Sequence, residues 1–251
     1  MKRIGIPLII AVLLSFGTAQ AQLTHYGARF GLGPSYVGDD LITSSPIVGM
    51  DLGAYVNYGF TEAKSFWADN LYLQAGFNIV RRGTNFKQEL KLMQSIRTGY
   101  FHLWYAQIPI LACWRYELPT RVPGNIVNLY VGPSFSVGLF GRLWDRQITP
   151  GAPQESINYD TYITEGKDAR RAFKHARRLD VALRTGVGYQ KGPYRFDLFW
   201  EHGFVALMKR DDILNNLDKM LYPSVDIKNR NSYTGSLNSF ILSVSYELPI
   251  N

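Results

Sequence analysis

The sequence of 251 residues predicts an all-β chain, an eight-stranded antiparallel up-and-down transmembrane β-barrel, and three observations lead there. An export signal opens the chain, and no later apolar stretch reaches the ~18 residues of a spanning helix. Eight segments then alternate apolar with small or polar residues, each over roughly ten residues, the length a tilted strand needs to cross a bilayer. The composition agrees: charged residues make up 19% and aromatics 14%, with 23 glycines, against about 25% charged in ordinary soluble domains.

Residues 1–21 carry Lys2 and Arg3, an apolar run from Ile4 to Phe16, and small residues at Ala19-Gln20-Ala21, the pattern a signal peptidase reads. The apolar run falls short of the ~20 residues of a membrane anchor. Cleavage is expected before Gln22, leaving 22–251 as the barrel domain in the outer membrane of a Gram-negative bacterium. No cysteine stands at the cleavage point to take a lipid, and the single cysteine, Cys113, excludes an intrachain disulfide and reads as a core filler. Removing Lys2 and Arg3 lowers the formal net charge from +7 to +5, too mild for a nucleic-acid binder.

The segments follow in chain order. Tyr26, Ala28, Phe30 and Leu32 oppose His25, Gly27, Arg29 and Gly31; Val48, Met50, Leu52, Ala54 and Val56 oppose Gly49, Asp51, Gly53, Tyr55 and Asn57. Leu71, Leu73, Ala75, Phe77 and Ile79 oppose Tyr72, Gln74, Gly76, Asn78 and Val80. The fourth sets Ile108, Ile110, Ala112, Trp114 and Tyr116 against Gln107, Pro109, Leu111, Cys113, Arg115 and Glu117, and the fifth Val127, Leu129, Val131, Phe135 and Val137 against Asn128, Tyr130, Gly132, Ser134 and Ser136. Leu179, Val181, Leu183, Val187 and Tyr189 oppose Asp180, Ala182, Arg184, Gly186, Gly188 and Gln190; Tyr194, Phe196, Leu198 and Trp200 oppose Arg195, Asp197, Phe199 and Glu201. The last segment sets Phe240, Leu242, Val244, Tyr246 and Leu248 against Ser239, Ile241, Ser243, Ser245 and Glu247. A soluble sandwich would show a wet face rich in Lys, Glu and Thr. Here the second face is Gly, Ser, Tyr and opposed charges, which suits a narrow enclosed lumen.

The links divide into short ones at 61–69, 118–126 and 190–193, and outer ones at 38–46, 83–99, 141–176 and 209–232, three of which are long. That asymmetry matches periplasmic turns and outer loops. Tyr26, Tyr58, Trp114, Tyr116, Tyr189, Tyr194 and Tyr246 fall where the inner aromatic girdle belongs, and Trp104 and Phe204 where the outer one belongs.

The stretches "GARFGLGPSYVG", "LYLQAGFNIVRRGT", "YAQIPILACWRY", "NLYVGPSFSVGLFG" and "GVGYQKGPYRFDLFWEHGF" resemble the PorT-like outer-membrane β-barrels, a family of small eight-stranded barrels, across nearly the whole mature chain. The resemblance implies an outer-membrane barrel and, for some members, an accessory role in protein secretion.

An eight-stranded barrel has room inside only for side chains, so no diffusion pore is expected. Arg29, Asp51, Arg82, Arg115, Glu117, Arg184, Arg195, Asp197, Glu201 and Glu247 project inward in this register and form a candidate ion-pair network, with a gated proton or ion path as the alternative. In the longest outer link, Lys167, Arg170, Arg171, Lys174, Arg177 and Arg178 are candidates to meet lipopolysaccharide phosphates, or else a solvated loop base. Ile213, Leu214, Leu217, Met220 and Leu221 behind Asp211 and Asp212 read as a short amphipathic helix that covers the barrel mouth or docks on an envelope protein. The four histidines, His25, His102, His175 and His202, lie on different segments, with no metal spacing, no nucleophile elbow and no cofactor motif. The reading is a binding or scaffold protein working through its outer loops. A secretion accessory and an outer-leaflet lipid-modifying enzyme based on His102 or His175 are the alternatives.

Overall fold

A computed structural model of the chain describes residues 21–38, 43–60, 70–90, 95–119, 124–148, 155–160, 178–205, 208–209, 233–234 and 236–249. The described residues contain eleven strands in chain order: β1 (Ala21–Gly38), β2 (Thr43–Phe60), β3 (Leu71–Leu90), β4 (Ser95–Glu117), β5 (Asn125–Ile148), β6 (Glu155–Asp160), β7 (Leu179–Lys191), β8 (Tyr194–Gly203), β9 (Met208–Lys209), β10 (Tyr233–Thr234) and β11 (Ser236–Pro249). Eight of them, β1 to β5 with β7, β8 and β11, pair antiparallel with their neighbours. The pairing of β4 with β5 and of β11 with β1 closes the sheet, so the wall of the barrel has no free edge.

The register sets the shape of the barrel. Stepping around the wall from Tyr36 through Asn238, His202, Leu183, Pro133, Ile110, Ala75 and Val56 returns to Tyr26, ten residues back along β1. With ~3.3 Å per residue and ~4.8 Å between strands, that stagger tilts the strands by about 40° to the barrel axis, within the range of membrane barrels.

Alternation then sorts residues into two environments. On the outer face Leu242 is 63% exposed and Phe77 54%, while on the inner face Arg184 and Arg195 are each 1% exposed. A soluble monomer inverts this, and an apolar band running right around the wall marks a surface made for hydrocarbon. Aromatic pairs bound the band. Trp114 stacks on Tyr116 and Tyr194 meets Tyr246 edge-on near the inner end; Trp104 stacks on Phe140 and Trp200 on His202 near the outer end. From Tyr194 to Phe204 the tilted strand rises about 25 Å, the height of the apolar band of an outer-membrane barrel.

At the inner end, β7 and β8 are joined by Gly192 and Pro193 alone. Gly192 takes a φ of 58°, which a side chain disfavours and which lets so short a link fold back without splaying the strands. At the outer end the strands outrun the sequence expectation of roughly ten residues. The 83–99 link is mostly strand, since β3 continues to Leu90 and β4 starts at Ser95, and the 141–176 link holds the end of β5 and all of β6. Backbone groups that keep pairing above the membrane need no apolar alternation, so the sequence pattern stops before the strands do.

One irregularity re-aims side chains. Trp104 pairs with Phe140 but Tyr105 pairs with Gly138, so Leu139 is an extra residue on β5. Below the bulge the even-numbered residues Asn128, Tyr130, Ser134 and Ser136 face the lumen; above it Gly141 is buried and Arg142 exposed. The parity of β5 is reversed from there upward.

Candidate functional site

The lumen is built from the inner-face residues of all eight wall strands. At its inner end Glu247 of β11 accepts from Arg115 Nη2 at 2.5 Å and Arg195 Nη1 at 2.7 Å, with Tyr55 OH and Asn57 Nδ2 at 3.2 and 3.1 Å. Arg195 Nε also donates to Asp197 at 3.0 Å, and Tyr130 OH donates to the other oxygen of the same carboxylate at 3.0 Å. Midway up, Arg29 lies between the rings of Tyr55 and Phe199, 4.9 and 4.6 Å from their centres, and donates to Gln74 at 2.7 Å. Such cation–π contacts offset part of the cost of burying a guanidinium that has no carboxylate beside it.

Towards the outer end a second cluster spans the barrel. Arg184 of β7 bonds Asp51 of β2 at 2.6 Å, and Arg82 of β3 bonds Glu201 of β8 at 2.5 Å with Asp180 at 3.7 Å. Gln107 Nε2 and Ser134 Oγ complete the shell of Glu201 at 2.7 and 2.9 Å, and Gln107 Oε1 accepts from Arg184 Nη1 at 3.1 Å. Asn78 Nδ2 donates to Asp51 at 2.7 Å. Between the clusters, Leu111, Cys113, Tyr130, Phe199 and Ile241 form an apolar layer.

The inward charges balance. Arg29, Arg82, Arg115, Arg184 and Arg195 face Asp51, Asp180, Asp197, Glu201 and Glu247. Isolated, each would cost several kcal/mol to bury; Arg82, Arg115, Arg184 and Arg195 offset this by pairing with carboxylates, several of them on the opposite wall, while Arg29 is held by Gln74 and the two rings. Of the inward candidates, Glu117 is placed differently: it ends β4 and is exposed, because the wall around it stops and water reaches the strand end. Asp180 stood on the polar face in the sequence but outside the candidate network. Gln74, Gln107 and Tyr130 were missed as bridging groups, although their alternation parity points them inward.

Outer candidates divide. Arg178 is exposed, and its carbonyl accepts from the Gly138 amide at 2.6 Å. Lys167, Arg170, Arg171, Lys174 and Arg177 lie outside the described residues, as do the expected helix over 213–221, His175 and all of the expected signal 1–21 except Ala21, which opens β1. His102 and His202 both belong to aromatic stacks on the outer wall, His102 on Tyr100 with ring centres 4.4 Å apart and His202 on Trp200 at 5.9 Å. Among the described residues no group of His, Cys, Asp and Glu is arranged to hold a metal ion.

The chain is similar to several solved structures. The attachment invasion locus protein Ail of Yersinia pestis is 13% identical with a TM-score of 0.41, over 90% of this chain and 100% of that one. A second structure of Ail holds the heparin analogue sucrose octasulfate, at 12% identity, a TM-score of 0.38 and the same coverage. Neisserial surface protein A is 11% identical with a TM-score of 0.34, over 89% of this chain and 96% of that one. No curated protein matches the chain. The outer membrane protein beta-barrel domain family matches residues 19–206, most of the closed wall. With the closed antiparallel sheet and its girdled apolar band, that match places the chain in the outer membrane, as a member of the outer membrane protein beta-barrel domain family.

Proposed function

We propose that the chain is a binding or scaffold protein, signal-cleaved and monomeric, that works through the part of its wall outside the membrane, with a lumen held shut by its ion pairs. Among outer-membrane barrels it stands with the PorT-like group on the strand motifs quoted above. The observation that carries the reading is the length of β3, β4 and β5. Counted from the row of Trp104 and Phe140, these strands continue eight or nine residues outward, about 20 Å of paired sheet beyond the belt. A barrel that only spanned the membrane would have no need of them. The sheet widens on one side through β6, which pairs with β5 from Arg142 to Gln147. Near its tip Ile96 and Ile148 are cross-strand partners and both are exposed, an apolar pair in water far from the bilayer.

Photo-crosslinking in intact cells tests this reading. A benzophenone side chain at Ile96 or Ile148 should capture a discrete protein, and the same group at Val131 in the apolar band should capture lipid. Identical products from both heights would mean that the outer sheet engages nothing.

A further inference from the structure

Above the outer belt, the wall turns a cationic and aromatic surface towards the lipid leaflet. We propose that this surface is a binding site for a phosphorylated glycolipid of the outer leaflet, its phosphate held by Arg81 and Arg142 and its sugar resting on Tyr100 and Trp144. The site lies apart from the sheet tip and does not depend on the partner reading above.

Geometry fixes which way these groups point. Arg81 is the cross-strand partner of Trp104, so it shares the outward face of the belt row, and its Nη2 reaches up to within 3.4 Å of His102 Nδ1. One step higher, His102 pairs with Arg142; two higher, Tyr100 pairs with Trp144; three higher, Thr98 pairs with Arg146. The Leu139 bulge puts the three β5 residues on the outside, since without it their parity would send them into the lumen. Each step of two residues rises about 5 Å along the tilted wall, so the cations stand within roughly 15 Å above the belt, the height of headgroup phosphates.

Chemistry selects the ligand. Arginine forks match phosphate oxygens, and the rings of Tyr100 and Trp144, stacked with centres 5.7 Å apart and with Tyr100 also on His102, form an aromatic column beside them for a sugar to lie against. By register the row holds Arg81, Arg142 and Arg146, with Asp160 as the cross-strand partner of Arg142, three cations to one anion in the sequence. Directly below lie the exposed Ile108, Leu139 and Phe140, an apolar strip for acyl chains. A soluble anion would use the arginines and ignore the strip; a lipid-borne phosphate uses both.

The test is native mass spectrometry of the full chain released from phosphatidylcholine nanodiscs doped with bisphosphorylated lipid A, monophosphoryl lipid A or the phosphate-free form. The wild type should retain the bisphosphorylated form best and the phosphate-free form least. The R81Q/R142Q/R146Q variant should lose on the order of tenfold or more of that retention while keeping its heat-modifiable gel shift. Excess inorganic phosphate should not displace the lipid. Equal retention of the three lipids, equal retention by the variant, or displacement by inorganic phosphate would each overturn the proposal. The lipid series on the wild type decides the matter if the variant does not fold.

Discussion

Glu201 and Glu117 show how much a residue's surroundings matter once its direction is set. Both alternate towards the lumen, but Glu201 is buried with Arg82, Gln107 and Ser134 upon it, while Glu117 ends its strand in water. Glu201→Ala should cost about 3–5 kcal/mol, because it leaves the desolvated Arg82 with only the longer 3.7 Å contact to Asp180. Glu117→Ala should change stability by less than about 0.5 kcal/mol. Urea unfolding in lipid vesicles, followed by tryptophan fluorescence, measures both, and adding Arg82→Met to the first variant should recover part of the loss. Equal midpoints for the two single variants would show that the inner pairs carry no weight. On the opposite face, Leu242→Asp puts a charge in hydrocarbon at a cost of about 2 kcal/mol or less, read as a lower folded yield in vesicles than Leu242→Ala. Alternation made the direction of these side chains legible in the sequence. It does not say where the wall ends, which is why Glu117 alternates with the buried charges, and it places the amides Gln74 and Gln107 inward without showing which charges they bridge.

Strands and links obey different rules above and below the outer belt. Within the membrane every strand must alternate, since one face meets lipid and the other a packed lumen, and all eight wall strands were visible for that reason. Beyond the belt the outer face meets polar surroundings while the inner face buries Phe86, Phe101 and Leu103, so the outward-apolar pattern lapses and backbone pairing shows how far β3, β4 and β5 go on. The Leu139 bulge is illegible for a related reason: Leu139 and Phe140 are two outward apolar residues in a row, which alternation alone does not resolve into one bulge. The two ends of the barrel should therefore answer differently to protease added to intact cells. Cleavage is expected within the outer links 141–176 or 209–232, and none at Gly192-Pro193, whose link of two residues belongs on the periplasmic side. Cutting at that turn with the outer links spared would invert the topology.

The whole molecule is a tube whose stagger, tilt and contents agree with one another. Ten residues of stagger over eight strands fix a bore that side chains can fill, and the charges that fill it cancel. Arg184 reaches Asp51 and Arg82 reaches Glu201 from well-separated strands, so the outer cluster crosses the bore rather than lining it, and Glu247 with its two arginines does the same at the inner end. An ion moving along the axis would have to break both sets, each holding desolvated charges whose separation costs several kcal/mol. Planar-bilayer recording on the full chain should therefore show no steady conductance, and Arg184→Ala with Arg82→Ala should bring at most brief openings, because the inner cluster around Glu247 still crosses the bore. A stable conductance on the order of a nanosiemens in the wild type would mean that the ion pairs line a channel instead of closing it.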